Sequence, residues 1–298
     1  MGRSKKGSLL YIKEWVWSKI KGWKEKLLSQ AGREVLLKAM VQAIPTYSMS
    51  CFKLPTTLCN KIEIMIRKFW WGQRGDRRKV HWVKWNKLCK PKYEGGMGFR
   101  ELEKFNDALL AKQVWRLASN QDSLFFRFFK AKFFLNGSIF DAKENKRPYA
   151  WKSILKGRDI IRRGMRWRIG DGSSVQIYQD RWLPAFDHDI ITSTILDITS
   201  DATVSILIDH DLCRWREDEV DRLFIQEEAS IIKAIPLSFS NKSDMVFWPR
   251  SHDGVYSVKS GYKMLMELED VSAEEYRECN LEVTSTKSDS TPHVACWL

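Results

Sequence analysis

The chain has 298 residues, of which 44% are hydrophobic, and its formal net charge at pH 7 is +13. This composition is ordinary for a folded protein of about two domains, and no apolar run reaches the ~18 residues of a transmembrane helix. The six cysteines form no Cys-x-x-Cys pair and follow no secretory signal, so reduced thiols rather than a disulfide framework are expected.

Positive charge is concentrated in the first part of the chain. Residues 1–182 contain 40 Lys and Arg against 15 Asp and Glu, whereas residues 183–298 contain 10 against 22. This asymmetry favours a basic part that meets polyanions and a different, acidic part. The alternative is a soluble protein with a high isoelectric point and no special partner.

Two amphipathic helices are predicted at the start of the chain. The first covers 9–28, where apolar residues recur at spacings of three and four. Ser29 can cap the second, which covers 33–44, and Pro45 ends it. The apolar positions that define the first helix are Ile12, Val16, Ile20, Trp23 and Leu27, and those of the second are Leu36, Met40 and Ala43.

A third helix is predicted after Pro55. Its apolar residues lie on one stripe, at Leu58, Ile62, Met65, Ile66 and Phe69. Three amphipathic helices with short joints form a small helical bundle, in which such stripes make the core.

Residues 69–99 interleave tryptophans with cations and then close on a flexible glycine-rich loop at 95–98. This composition is typical of a surface that holds a nucleic-acid backbone and stacks on bases. The alternative is a core whose tryptophans are covered by the aliphatic stems of Lys and Arg, and composition leaves both open. The tryptophans concerned are Trp70, Trp71, Trp82 and Trp85.

Residues 100–164 predict two more helices, over 100–119 and over 150–164. The aromatic run at 124–129 between them is expected to be buried on nearly every side. Asn136-Gly137 marks a turn.

A β-hairpin is predicted over 166–177. The apolar period there falls from 3.6 to 2, and Gly170-Asp171-Gly172 makes the turn. Asp-Gly supplies the positive φ angles that a tight hairpin needs. Asp171 and Asp180 are therefore not expected to bind a metal.

From residue 183 the chain is acidic and less regular. A helix over 215–232, a second hairpin around 252–254 and a helix over 259–266 are predicted. After residue 268 the composition turns polar and charged, which predicts a disordered tail.

No catalytic, metal or cofactor site is predicted. A polymerase needs at least two carboxylates that hold Mg²⁺ ions, but the chain has no Asp-Asp dipeptide. The acidic pairs at 218–219 and 227–228 are expected on a solvated helix face. Zinc-like spacing occurs at Cys279, His293 and Cys296, but these residues lie in the predicted tail.

The chain resembles plant LINE-type (non-LTR) retrotransposon reverse transcriptases, over the region that follows their polymerase core. The resemblance covers about residues 1–266, and the opening of their zinc-binding module is similar to 255–260 here. Some short plant mitochondrial reading frames resemble the middle of the same region. The matching segments are 22–29, 31–38, 44–55, 69–72, 82–85, 94–99, 105–113, 149–154, 170–172 and 180–183.

This resemblance implies a fragment without catalysis and without a cofactor. Intact members of the family copy RNA into DNA at a nicked chromosomal target. Their Mg²⁺-binding aspartates belong to a palm domain that would precede Met1, so none of them maps onto this chain, and the ribonuclease H domain of some members is absent as well. After about Asp270 the sequence no longer resembles the family, and it lacks the paired Cys and His ligands of the zinc-binding module.

The predicted fold is mainly α with minor β. It consists of a thumb-like helical bundle, then helices and two β-hairpins, then a disordered C-terminal tail. The predicted parts are the thumb-like bundle over 1–72, a basic Trp-rich helical region ending in a hairpin over 73–182, an acidic connecting region over 183–245, the truncated start of a zinc-binding module over 246–268 and the tail over 269–298.

A thumb lies against the template–primer duplex, so the resemblance implies sequence-independent contacts with an RNA or DNA backbone. Trp70 and Trp71 are assigned to the core or to a hinge rather than to base stacking. The residues proposed for phosphate contact are Lys21, Lys24, Arg74, Arg77, Arg78, Lys79, Lys84 and Lys87.

Other functions stay open at this point. An enzyme would incorporate nucleotides in a primer-extension assay with Mg²⁺. A helical structural or interaction protein, or a remnant without function, would retain nucleic acid equally well after charge reversal of Arg77, Arg78 and Lys79. The Lys/Arg clusters favour the nucleus, and the similar reading frames leave mitochondria open as the alternative. No membrane or small-molecule partner is predicted, and the oligomeric state is left open.

Overall fold

The computed structural model describes residues 5–24, 28–72, 80–135, 137–144, 147–184, 191, 193, 199, 201–237 and 242–269, with the side chains at 5–8 and 24 outside this set. Over these residues the protein is mainly α-helical, with two small antiparallel sheets of two strands each. The predicted fold class, mainly α with minor β, is confirmed.

The described elements range from two-residue strands to a 20-residue helix. In chain order they are α1 (Lys5–Lys24), α2 (Gln30–Leu36), a π-helical turn (Leu37–Val41), α3 (Thr46–Cys51), α4 (Thr56–Trp70), α5 (Trp85–Cys89), a 3₁₀ turn (Lys92–Glu94), α6 (Leu102–Ser119), α7 (Leu124–Phe133), α8 (Tyr149–Leu155), α9 (Arg158–Gly164), β1 (Arg166–Arg168), a 3₁₀ turn (Val204–Leu207), β2 (Ile208–Asp209), β3 (Arg214–Trp215), α10 (Glu217–Leu223), α11 (Gln226–Ala234), β4 (Met245–Phe247) and α12 (258–269).

The described residues divide into two compact units. Unit 1 comprises those within Met1–Thr46, Leu54–Ala108 and Lys259–Leu298, and unit 2 those within Tyr47–Lys53 and Leu109–Val258. The predicted boundaries at 72, 182, 245 and 268 stay predictions.

The core of unit 1 forms where α1 packs against α4. Ile12, Val16 and Ile20 of α1 are almost fully buried, as are Ile62 and Ile66 of α4. These residues belong to the stripes that the sequence predicts, of which Trp23 and Met65 are only partly buried and Leu27 lies outside the described residues. Each such side chain contributes roughly 1.5–3 kcal/mol when it leaves water, so this pair of helices anchors unit 1.

Two helix starts in unit 1 form as the sequence indicates. The Ser29 hydroxyl accepts the Gly32 N–H at 3.2 Å and thereby caps α2. The Pro55 carbonyl accepts the Leu58 N–H at 2.8 Å at the start of α4. Both contacts satisfy donors that the first turn of a helix leaves unpaired.

The inward face predicted for the second helix is wrong. None of Leu36, Met40 and Ala43 is buried, whereas Leu37 and Val41 are. The helix continues as a π-helical turn, Leu37–Val41, and its buried residues lie one position later than predicted.

The aromatic run at 124–129 forms the first part of α7 and is not buried on nearly every side. Phe126 is buried, but Leu124 and Phe128 are 75% and 56% exposed. Farther along α7, Phe133 stacks on Trp151 of α8 with ring centroids 4.4 Å apart. The prediction is wrong because a helix of this length keeps an outward face.

The single helix predicted over 150–164 is two helices, α8 and α9, with a turn at 156–157. A Cβ at Gly157 would lie 2.5 Å from the Ala111 nitrogen and 2.7 Å from the Leu110 carbonyl carbon. Glycine lets the backbone pass close to α6 at this turn, and the helix is interrupted there.

The hairpin predicted over 166–177 is not formed, because β1 pairs with β4 in antiparallel register instead. The turn that follows β1 is held by the Asp244 carboxylate. This carboxylate accepts the N–H groups of Gly170 at 2.7 Å, Gly172 at 2.9 Å and Ser174 at 2.8 Å. The second predicted hairpin is likewise incomplete, since residues 255–257 form no strand beside β4.

The helix predicted over 215–232 is divided into β3, α10 and α11, and β3 pairs with β2. Glu228, which was expected on a solvated face, is buried and accepts a hydrogen bond from the Ser193 hydroxyl. The acidic pair at 218–219 lies in the first turn of α10, where negative charge complements the helix dipole.

Several predictions fall outside the described residues. They concern the segment 73–79, Asn136 and the tail from 270 onward, with Cys279, His293 and Cys296. None of the described helices has the length and apolar character needed to cross a membrane. Within the described ranges, no three His, Cys, Asp or Glu side chains lie close enough together to hold a metal ion.

Candidate nucleic-acid interface

The side chains of three of the eight residues proposed for phosphate contact are described. Lys21 lies on α1, Lys84 directly precedes α5 and Lys87 lies within α5, and all three are exposed. Among the described residues, none of the three has an acidic partner. The side chains outside the described set are those of Lys24, Arg74, Arg77, Arg78 and Lys79.

Lys84 and Lys87 are held outward by the buried side of α5. Trp85 stacks on Phe99 with ring centroids 5.5 Å apart and an interplanar angle of 15°, and Trp70 meets the same ring edge-on at 5.2 Å. This buried aromatic cluster fixes the rotation of the short helix. The two lysines are therefore presented to solvent by a rigid base.

The tryptophans of the basic stretch divide between core and surface. Trp70 and Trp85 are buried, so the core interpretation holds for them. Trp71 is half-buried and stacks on His81 with ring centroids 6.0 Å apart. Trp82 is 79% exposed, which leaves its ring accessible beside Lys84.

The glycine loop that follows α5 is closely bonded to it rather than flexible. The Met97 N–H donates to the Leu88 carbonyl at 3.0 Å, and the Gly98 N–H donates to the Lys90 carbonyl at 2.8 Å. A Cβ at Gly96 would lie 2.0 Å from the Lys90 carbonyl oxygen. Only glycine fits this approach without movement of the backbone.

Replacing Gly96 by Ala should therefore destabilise the protein by about 1–3 kcal/mol, because the Lys90 carbonyl has to give way. Urea denaturation followed by circular dichroism measures the change. Gly22→Ala is the matched control, since nothing lies within 4 Å of its Cβ position in α1. It should gain roughly 0.5–1 kcal/mol from the better helix former, and equal losses in the two variants would contradict the steric explanation.

Glu34 pairs with two other lysines of unit 1. It pairs with Lys38 at 2.8 Å and with Lys92 at 2.9 Å. The hydrogen bonds from Lys38 and then Lys92 hold the pKa of the Glu34 carboxyl below its ordinary value. Lys38 and Lys92 thus share one carboxylate as acidic partner, whereas Lys21, Lys84 and Lys87 have none among the described residues.

A buried carboxylate joins α4 to the start of α6. Glu63 is buried and accepts the N–H of Leu102, the first residue of α6, at 2.8 Å. Burial raises the pKa of Glu63 above its ordinary value of 4.5, against the opposing effect of the Leu102 N–H. Ionisation of this carboxyl therefore costs stability in the folded protein.

We expect Glu63→Gln to be more stable than the wild type near pH 7. Gln keeps an oxygen that accepts the Leu102 N–H and has no ionised form to bury. The wild-type penalty is complete above the folded-state pKa and vanishes as the pH falls below the unfolded value of 4.5, so the difference should close near pH 4. Thermal unfolding across this range measures it.

Glu63→Ala is the control for this variant. It removes the acceptor and leaves the Leu102 N–H unpaired, which should make it about 1–3 kcal/mol less stable than Glu63→Gln at every pH. A Gln variant that is less stable than the wild type at pH 7 would show that the carboxylate charge is needed at the helix start.

The sequence interpretation missed three aromatic side chains on the outer side of α1. Tyr11, Trp15 and Trp17 are 50%, 51% and 44% exposed. The sequence contained a signal for their exposure, because positions 11, 15 and 17 do not belong to the buried stripe at 12, 16 and 20. On a helix with 3.6 residues per turn they must point elsewhere.

No protein-family model matches the chain. A protein of Arabidopsis thaliana whose name assigns it provisionally to the ribonuclease H proteins is 32% identical over 267 residues, covering 85% of this chain and 42% of the relative. An uncharacterized mitochondrial protein of the same plant is 43% identical over 143 residues, covering 47% of this chain and 93% of that relative. The chain spans less than half the length of the first of these relatives. Relatives of these two kinds are typical of plant retrotransposon-derived sequences.

Proposed function

The chain belongs to the family of the uncharacterized mitochondrial protein of Arabidopsis thaliana, and we propose that it is a nucleic-acid-binding fragment of a LINE-type retrotransposon reverse transcriptase. Its relatives support the coarser statement that the protein is retrotransposon-related. The proposal adds that the fragment binds RNA or DNA through the phosphate backbone and catalyses no reaction itself.

The observation that supports binding is the set of uncompensated lysines on unit 1. Lys84 and Lys87 stand on the rigid base formed by Trp85, and Lys21 stands on α1. No acidic side chain in the described part of the chain pairs with them. They belong to residues 1–182, in which Lys and Arg outnumber Asp and Glu 40 to 15. This excess of positive charge favours binding to an extended polyanion.

Binding of this kind does not depend on the nucleic-acid sequence. The lysine ammonium group is a compact charge that contacts phosphate oxygens, and phosphates are the same at every base. Phosphate contacts release condensed counterions, so the affinity falls steeply as salt rises. The proposed surface therefore holds a nucleic-acid backbone and does not select a site on it.

Fluorescence anisotropy with labelled duplexes tests the binding. The full chain should bind two RNA or DNA duplexes of unrelated sequence with equal affinity, on the order of micromolar at ~50 mM salt. Absence of binding at this salt concentration would remove the proposed function. A large preference for one sequence would remove its sequence-independent part.

A separate assay tests the absence of catalysis. The sequence has no Asp-Asp dipeptide, which supports a protein without the paired carboxylates that hold Mg²⁺ in polymerases. Primer extension on a homopolymer template with Mg²⁺ should give no incorporation. Nucleotide addition or strand scission by the purified chain would contradict the proposal.

A further inference from the structure

The outward face of α7 exposes apolar side chains along one line of the helix. Leu124 and Phe128 are 75% and 56% exposed, and Ala131 is exposed as well. Their spacings of four and three residues place all three within an arc of about 60°. A surface helix usually carries polar side chains on its solvent side, so this apolar line indicates a surface that contacts a partner.

A cation lies on each side of the apolar line. On an ideal helix Arg127 lies about 40° beyond Ala131, and Lys132 lies about 40° beyond Phe128 on the opposite side. Both cationic side chains are exposed, and neither has an acidic partner among the described residues. α7 itself contains no acidic residue. Both edges of the line therefore favour negatively charged groups on whatever covers it.

The inner side of α7 fixes the direction in which this face points. The Ser123 hydroxyl accepts the Phe126 N–H at 3.1 Å and caps the helix start. Phe126 is buried, and Phe133 stacks on Trp151 of α8 with ring centroids 4.4 Å apart. These contacts set the rotation of α7 within unit 2, so the apolar line is presented on a helix that is already fixed.

The composition of the line and its charged edges decide which kind of partner fits. A nucleic acid would pair with the cations, but the aliphatic side chains of Leu124 and Ala131 offer neither a flat face for a base nor a hydrogen bond for a phosphate. The α7 of a second copy would bring cations against cations, which is unfavourable across an interface. Membrane binding grows with the buried apolar area, and this line has only two large apolar side chains.

We infer that the α7 seam, formed by Leu124, Phe128 and Ala131 between Arg127 and Lys132, binds an amphipathic helix with acidic flanks on another protein. Apolar residues of that helix pack on Leu124 and Phe128 and enter the space beside the short Ala131 side chain. Its carboxylates pair with the two cations, which sets the orientation and the choice of partner. The inference concerns unit 2 and goes beyond the nucleic-acid binding proposed for the lysines of unit 1.

The test uses a synthetic helical peptide with Leu at the a and d positions of its heptads and Glu at the e and g positions. The peptide is ~20 residues long, because shorter helices are marginal in water. Fluorescence anisotropy of the labelled peptide is measured with the full chain at ~150 mM salt, where long-range attraction is screened. L124Q/F128Q removes the apolar contacts and should weaken binding at least about tenfold.

A charge exchange tests the role of the two cations. R127E/K132E should bind the Glu-flanked peptide about tenfold more weakly than the wild type. It should instead bind a peptide that carries Lys at the same e and g positions, which the wild type does not bind. This exchange of partners distinguishes direct pairing from damage to the protein.

Two controls make the comparison specific. L212Q/M245Q replaces two exposed apolar residues of unit 2 that lie outside α7 and should bind the Glu-flanked peptide as the wild type does. A Glu-flanked peptide with Gln in place of every Leu should not bind the wild type. Gln favours helix, and circular dichroism checks that each variant keeps its helix content.

The outcomes decide the inference independently of the proposed function. Weaker binding by L124Q/F128Q together with the exchange of partners supports it. Absence of peptide binding, equal binding of the Gln-substituted peptide or unchanged binding by L124Q/F128Q overturns it. It is also overturned if the wild type fails to bind the peptide and L124Q/F128Q abolishes duplex binding, adsorption to anionic vesicles or self-association instead. Duplex binding by the wild type tests the proposed function alone.

Discussion

Reversing the charge of Lys84 and Lys87 together should weaken duplex binding about tenfold at ~50 mM salt. Both side chains are exposed and lack an acidic partner among the described residues, so each is available to a phosphate. The weakening should be the same for unrelated sequences, because phosphate contacts carry no base information. Fluorescence anisotropy with K84E/K87E measures it.

A variant with the same change in net charge provides the control. Lys259 and Lys263 lie exposed on α12, also in unit 1, and Lys263 pairs with Glu267 at 3.7 Å. K259E/K263E should retain most of the wild-type affinity if contact is local to the α5 surface. Equal weakening in the two double variants would mean that only the overall charge matters, and no weakening in either would refute the assignment of Lys84 and Lys87.

Asp244→Ala should lower the free energy of unfolding by about 3 kcal/mol. Its carboxylate accepts three backbone N–H groups, from Gly170, Gly172 and Ser174. Removal leaves these donors without their acceptor and releases the turn that follows β1. Asp244 directly precedes β4, and β4 pairs with β1. The substitution therefore loosens the sheet at the end of β1 and at the start of β4. Urea denaturation of the full chain measures the loss.

Two further variants check the cause of this effect. Asp244→Asn keeps an oxygen for Gly170 and Gly172, but its amide nitrogen meets the Ser174 N–H donor, so its loss should be intermediate. Asp171→Ala removes a carboxylate of the same turn that accepts the backbone N–H and the hydroxyl of Ser173, a local contact that should cost less than ~1 kcal/mol. Equal losses for Asp171 and Asp244 would contradict the role assigned to the three-donor contact.

Helices were predictable from sequence where a local period decides them. The stripes of α1 and α4 and the Ser29 cap arise from neighbours three or four residues apart, and such spacings can be read directly. The hairpin over 166–177 was not predictable in the same way. Its turn chemistry was identified, but the acceptor that holds the turn, Asp244, lies some 70 residues farther along the chain.

Packing between residues distant in sequence also decides two other features, the break at Gly157 and the exposed face of α7. Gly157 interrupts a helix because another backbone passes within 2.5 Å of its Cβ position, and no local pattern reveals this approach. In the candidate site, the exposure of Lys84 and Lys87 follows from the buried ring of Trp85. Composition alone left Trp85 and Trp82 indistinguishable, although one is core and the other is surface.

The salt dependence of duplex binding by the wild-type chain tests the central claim most directly. If the basic surface grips the phosphate backbone, log Kd should rise linearly with log salt, with a slope of magnitude about 3–7 and the same value for unrelated sequences. An affinity that does not change with salt, or a chain that binds no duplex even at ~50 mM salt, would contradict it.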